Sequence, residues 1–145
     1  MTKPEKLLGV DFGAARTGLA YSDDLGMYAV GMGNIKSYNV ERAAADVAKK
    51  AEDIRADKIV IGKPINMDGS EGEKARLSEN FGVLVSNYTS IPIEFFDERL
   101  TTVMAHQILG NSGIKAKDRK NVVDSLAAEL ILQGYMDMQK NKNSK

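Results

Sequence analysis

Cysteine is absent from the 145 residues, which excludes disulfides and thiolate metal sites. A single histidine, His106, argues against zinc held by several imidazoles. No apolar run approaches the ~18 residues of a membrane span. Met1-Thr2-Lys3-Pro4 opens without the apolar core of a signal peptide. The expectation is a cytoplasmic protein with no membrane partner. Neither sign of charge is in excess, because 20 Lys and Arg balance 20 Asp and Glu. That balance counts against generic adhesion to nucleic acid, which shows as a basic surplus, although a local basic patch suffices for a structured substrate.

What is present belongs to an ordinary soluble chain, 43% hydrophobic and 28% charged. The length suits one domain with a substantial core. Neither repeat nor linker divides it. The domain is set at residues 1–140, and the polar tail 141–145 is expected to be disordered.

The chain is organised around residues 7–22. Leu7 to Asp11 reads as a buried strand that carries one carboxylate at its far end, and Arg16 to Ser22 as its antiparallel partner. Met27 to Ile35 is a weaker third strand. Asn39 is a plausible N-cap for a helix to about Arg55, because Val40, Ala44, Val47, Ala51 and Ile54 share one helical face. Lys58 to Gly62 reads as a short strand of the parallel, fully buried type. Ser70 and Glu73 have the spacing of a capping box, so the next helix is expected to start there and run to about Tyr88. Ile91 to Phe96 follows as a strand, then a short helix from Thr101 or Thr102 to Gly110, a loop over 111–117, and a last helix from about Asp118 to Gln139. Strand–helix–strand alternation in the second half implies right-handed crossovers. The fold class is α/β, a mixed five-stranded sheet flanked by helices.

Asp11, Glu98 and Asp124 lie in apolar settings where an ionised acid needs a partner. Without histidine or cysteine beside them, three carboxylates suit a hard cation with oxygen ligands, Mg²⁺ or Mn²⁺. Two such ions are the usual device for in-line phosphodiester hydrolysis. The plainer reading makes each acid a cap or an ion-pair partner of Arg16, Arg99 or Arg119. Asp97 competes with Glu98 for the third place, and pattern does not choose between them.

Two segments offer substrate contacts. In the Gly62–Gly72 loop, Gly69 and Gly72 free backbone N–H groups ahead of a helix N-terminus, an arrangement that holds phosphate. Asn66, Asp68 and Ser70 add side-chain donors and acceptors, unless the glycines merely serve the turn. Lys115, Lys117, Arg119 and Lys120 form a basic run that suits a nucleic-acid backbone, against the commoner solvated loop. His106 is read as a surface or packing residue. Asp11-Phe12-Gly13 matches a kinase triplet with no other kinase motif present.

Four motifs together resemble the YqgF (RuvX) family. They are Val10-Asp11-Phe12-Gly13 with Arg16-Thr17-Gly18, the Gly62–Gly72 loop, Asp97-Glu98-Arg99-Leu100-Thr101-Thr102, and Asp124 to Gln133. They occur in the family's order and span residues 7 to 137. The resemblance implies a ribonuclease H-like fold and a nuclease described both as maturing the 5′ end of pre-16S rRNA and as resembling Holliday junction resolvases. It puts the catalytic, metal-holding acids on Asp11, Glu98 and Asp124, and so selects Glu98 over Asp97. Gly13, Arg16 and Arg99, inside these motifs, join Asn66, Asp68, Gly69, Ser70, Lys117, Arg119 and Lys120 as candidate substrate contacts. Lys63 stands where the family commonly has an apolar residue, and Met104 where it commonly has a polar one.

The expected function is a metal-dependent endonuclease, a hydrolase of phosphodiester bonds in ribosome biogenesis, using two Mg²⁺ or Mn²⁺ ions. Its expected partner is structured nucleic acid, RNA rather than DNA, within pre-ribosomal particles. One alternative is a four-way DNA junction resolvase. Another is a nucleotide- or nucleic-acid-binding module without nuclease activity, since Asp11-x-Gly13-x-x-x-x-Gly18 also resembles the phosphate loop of actin-like ATPases. A monomer or a homodimer is compatible with the chain.

Overall fold

A computed structural model describes residues 3–99 and the helical backbone 116–143, with side chains of that last helix from 126 to 140. Five strands form one mixed sheet in the order β3-β2-β1-β4-β5. Strand β1 (Leu7–Asp11) pairs antiparallel with β2 (Arg16–Ser22), setting Leu8 opposite Tyr21 and Asp11 opposite Gly18. Strand β3 (Ala29–Lys36) adds antiparallel to β2, with a register shift between Gly18 and Ala20. Strands β4 (Lys58–Lys63) and β5 (Ile93–Asp97) then extend the other side in parallel. The carboxyl ends of β1, β4 and β5 and the start of β2 therefore share one edge.

Helices α1 (Val40–Asp53) and α2 (Glu73–Ser86) follow β3 and β4. They cover one face, where Leu8, Val10, Ile59 and Ile61 meet Val47, Ala51, Phe81 and Val85. Helix α3 (Ala116–Asn143) covers the other. There Leu7, Ala20 and Val60 meet Ala128, Ile131, Leu132 and Tyr135. Burial on both faces explains why β1 and β4 read as near-continuous apolar runs.

α3 lies close against β1 because Gly9 has no side chain. A Cβ there would stand 2.7 Å from Leu132 Cβ and 3.2 Å from the Ala128 carbonyl oxygen. The same helix protects the edge strand: Glu129 Oε1 accepts from Gly31 N at 2.7 Å, and Gln133 Oε1 accepts from Ala29 N at 2.8 Å. Backbone donors of an edge strand are thereby withheld from stray pairing. At the opposite end of the sheet, the Tyr135 hydroxyl donates to Glu94 and accepts from Lys58 Nζ at 2.9 Å.

Several boundaries differ from expectation. Asn39 does cap α1, its side chain accepting from Arg42 N at 3.0 Å. The expected capping box does not form. Gly72 is the N-cap of α2 with no side-chain cap bond, because the Ser70 hydroxyl bonds to Asp68 instead. Tyr88 lies beyond α2 and is half exposed. Helix α3 starts at Ala116, so Lys117 is helical rather than in a loop, and it continues through Asn143, making three of the five tail residues helical. Met138, expected on the apolar face, is exposed. The short helix expected over 101–110, with Met104 and His106, lies outside the described residues. Among the described residues no helix is long and apolar enough to cross a membrane.

Adding one methyl group at Gly9 tests the close approach. Gly9→Ala should lose about 1–3 kcal/mol of stability, the usual cost of overpacking. Urea denaturation measures it, and an unchanged midpoint would show that α3 does not rest on Gly9.

Candidate active site

Asp11 ends the central strand, and β4 lies between it and β5. Val10 pairs with Ile61, which brings Gly62 beside Asp11. Glu98, just past β5, is held by its backbone N–H, which donates to the Lys63 carbonyl at 3.2 Å. Its side chain then passes over β4. A Cβ on Gly62 would run into Glu98 Oε2 and Ile131 Cδ1. The missing side chain at Gly62 is what lets the glutamate lie over the strand on the face covered by α3. Sequence reading placed Gly62 at the end of a buried strand and the start of the loop, with no part in the site. The three-dimensional packing reveals that it faces a carboxylate.

The apposition has an electrostatic consequence. Burial, followed by the negative charges of Asp11 and Asp97, pushes the Glu98 carboxyl up to about 7, with Lys74 opposing weakly. Burial disfavours the charged form and like charges add to that effect. Asp97 is different, since it chelates Arg99 through Nε at 2.8 Å and Nη2 at 2.6 Å. That guanidinium holds Asp97 below the usual carboxylate range. So Arg99 is engaged by Asp97, and the acid left facing Asp11 is Glu98.

Position 124 lies in α3, one helical turn before Ala128, in the direction of the acidic edge. Its side chain lies outside the described residues, as do those of Lys117, Arg119 and Lys120 on the first turns of α3. Among the described residues no group of three metal-ligating side chains assembles. The described part of the site is thus the Asp11–Glu98 pair.

Loop residues surround that edge. Gly13 sits in the β1–β2 turn, where a Cβ would strike the Arg16 carbonyl oxygen. Arg16 begins β2 opposite Lys36, half buried on the same edge. Between β4 and α2 the chain makes a tight turn in which Gly69 N donates to the Asn66 carbonyl at 2.8 Å, with Gly69 at φ 90°. That φ favours glycine. Asn66 Nδ2 donates to Ser70 Oγ at 3.0 Å, and Asp68 Oδ1 accepts from Ser70 N at 2.9 Å. The Ser70 contacts hold Asp68 below the usual carboxylate range. In this state the polar side chains of Asn66, Asp68 and Ser70 therefore order the turn. Met67, Phe96, Asp97 and Arg99 line a cavity of about 400 Å³ between this turn and β5.

The sheet order, the helices on both faces and the acid at the end of β1 define a ribonuclease H-like fold. Solved structures share it at low identity. RuvC of T. thermophilus in complex with a Holliday junction substrate aligns with TM-score 0.57 at 16% identity, covering 93% of this chain and 96% of that one. Fowlpox virus resolvase, in a complex with Holliday junction DNA, aligns with TM-score 0.54 at 15% identity, covering 92% and 98%. The model of the RuvX family, described as Holliday junction resolvase, matches residues 5–138. The chain belongs to the RuvX family. A Natranaerobius thermophilus relative is 42% identical over 139 residues, 96% of this chain and 99% of its own. One from Clostridium beijerinckii is 38% identical over 133 residues, 92% and 96%. Both carry the name "Putative pre-16S rRNA nuclease".

The Glu98 carboxyl gives a pH test. Its folded value, about 7, lies above the ordinary 4.5. Its contribution to stability is therefore complete below pH ~4.5 and lost as pH rises through ~7. In chelator, wild type should lose about 1–3 kcal/mol across that window, allowing for partial solvent screening. Glu98→Gln should remove most of this slope. Equal slopes in both proteins, measured by urea titration, would show that Glu98 is not held against Asp11.

Proposed function

We propose that the chain is a divalent-metal-dependent endonuclease acting on structured RNA, and that its substrate is the 5′ end of pre-16S rRNA within pre-ribosomal particles in the cytoplasm. The observation that carries this reading is the buried apposition of Glu98 and Asp11 across Gly62. Burial and the negative charge of Asp11 both disfavour an ionised Glu98 near neutral pH, and a bound cation relieves that cost. The names of the relatives, at up to 42% identity over almost the whole chain, support nuclease chemistry and the RNA substrate.

The donor set fits a hard cation, because it offers carboxylate oxygens with no sulfur or imidazole in the described site. Asp11 and Glu98 would hold Mg²⁺ or Mn²⁺, with Asp124 as the third acid and two ions as the full complement. A bound ion of this kind supplies Lewis acidity and makes water a nucleophile near neutral pH. The chain's own residues orient the substrate. Arg16, at the start of β2, and Arg99, next to Glu98 in the chain, would offer positive charge to the substrate, and the 66–70 turn would set the path of the sugar-phosphate backbone ahead of α2. Gly13 keeps the β1–β2 turn narrow beside Asp11. Lys117, Arg119 and Lys120 would add phosphate contacts, which position without reading sequence.

Junction resolution is the competing use of the same chemistry. It requires two symmetric cuts and therefore a two-fold dimer with two sites facing one junction.

A panel of labelled precursor rRNA, four-way DNA junctions and single strands, with Mg²⁺, Mn²⁺ or chelator, tests the reading. Cleavage of precursor rRNA by a monomer, abolished by Asp11→Asn and by chelator, is the expected result. Paired symmetric nicks in junctions by a stable dimer would replace the RNA substrate with DNA. Metal should also raise the melting temperature, the gain at a hundred times the dissociation constant being about 2.7 kcal/mol. Asp11→Asn should gain much less. A variant that keeps the full metal response while losing stability without metal would make Asp11 a structural ion-pair partner and sink the metal site.

A further inference from the structure

Lys63 is the last residue of β4, and its ammonium bridges two carboxylates, Glu71 Oε1 at 2.8 Å and Glu79 Oε1 at 2.5 Å. Glu71 belongs to the loop that carries Asn66, Asp68, Gly69 and Ser70. Glu79 lies in the second turn of α2. The lysine side chain is only 16% exposed and passes near the ring of Phe95, with Nζ 5.9 Å from its centroid. Its backbone carbonyl accepts the Glu98 N–H. One residue thus touches the loop, the helix behind the loop and the acid beside it.

From this junction we infer that Lys63 is a positioning residue, which ties the 64–72 loop to α2 and fixes where that loop holds the substrate backbone relative to Glu98. The inference rests on the nuclease reading given above. Its physical basis lies in what else anchors the loop. The Asn66–Ser70 bonds are internal to the turn and fix its shape without attaching it to anything. α2 begins at Glu73, and its N-cap, Gly72, makes no side-chain cap bond. Among the described residues the Lys63–Glu71 pair links this turn region to the sheet through side chains, and its lysine is partly withdrawn from water, where an ion pair is screened less. A tether of this kind keeps a remote backbone contact in place equally before and during reaction, and loss of such uniform binding is read in KM with kcat unchanged.

Charge gives a rival account with the opposite sign for one variant. If Lys63 matters only by neutralising acids near a polyanion, removing the negative charge of Glu71 should help binding. If Lys63 matters as a tether, removing Glu71 cuts the tether and harms it. The experiment compares wild type, Lys63→Met, Lys63→Arg and Glu71→Gln on a cleaved RNA substrate, with hydrogen exchange of amides 64–72 read in parallel. Lys63→Met and Glu71→Gln should each raise KM about five- to tenfold with kcat within about twofold, and both should speed exchange in the loop. Lys63→Arg keeps both ion pairs and should stay near wild type. Should Lys63→Met fail to fold, Glu71→Gln on the surface carries the test alone. A lower KM in Glu71→Gln, unchanged kinetics, or a fall in kcat alone would each overturn the tether. A wild-type protein that cleaves no nucleic acid would instead sink the nuclease reading, and loop exchange in the same variants still reports whether the tether exists.

Discussion

Glu98 crosses β4 to reach Asp11, and it does so through a gap that only a glycine leaves. The sheet order places β4 between the two acids, so every side chain on the α3 face of β4 is an obstacle. Gly62 removes the obstacle at the one position level with Asp11. The cost of the arrangement is electrostatic, since the Glu98 carboxyl is held near 7 by burial and by its neighbours. A fold selected for stability alone would not bring these groups together, and sites of strained chemistry are where function is usually found.

The remaining packing follows from keeping that edge in place. α1 and α2 cover one face with a core from Leu8, Val10, Ile59 and Ile61, and Phe12, just past Asp11, stacks on Phe81 with ring centroids 4.3 Å apart. That stack anchors the residue next to the acid. On the other face α3 sits against Gly9 and Gly62 through Leu132 and Ile131. Two glycines on neighbouring strands therefore set both how close α3 lies and how far Glu98 can lean. The helix backbone that carries position 124 is aimed by the same contacts.

Much of this was legible in the sequence, for physical reasons. Strands buried on both faces announce themselves as apolar runs, so β1 and β4 were clear. The period of Val40, Ala44, Val47 and Ala51 made α1 clear, and Asn39 capped it as read. The failures came where a side chain had two possible partners. Ser70 had the spacing to cap α2, but Asp68 is two residues away and captures the hydroxyl first. Short-range bonds of this sort compete with helix caps. Spacing could not choose between Asp97 and Glu98 either. The structure separates them through Arg99, which engages Asp97 in a chelate and leaves Glu98 to lean over the strand.

Lys63 was the least legible of all, since a lone lysine at the end of an apolar strand reads as the strand reaching solvent. Its meaning depends on Glu71, eight residues on, and Glu79, sixteen residues on. Neither spacing signals a contact, because the intervening loop decides what meets what. An apolar residue at position 63 would pack against Phe95 and α2 and hold the helix, but it would offer nothing to Glu71. A lysine holds the helix and the loop together. The substitution of charge for packing thus changes what the strand end can grip, without moving the backbone carbonyl that steadies Glu98. Fold and acid placement are backbone and glycine properties here, whereas loop placement is a side-chain property, and the second can vary among chains while the first is kept.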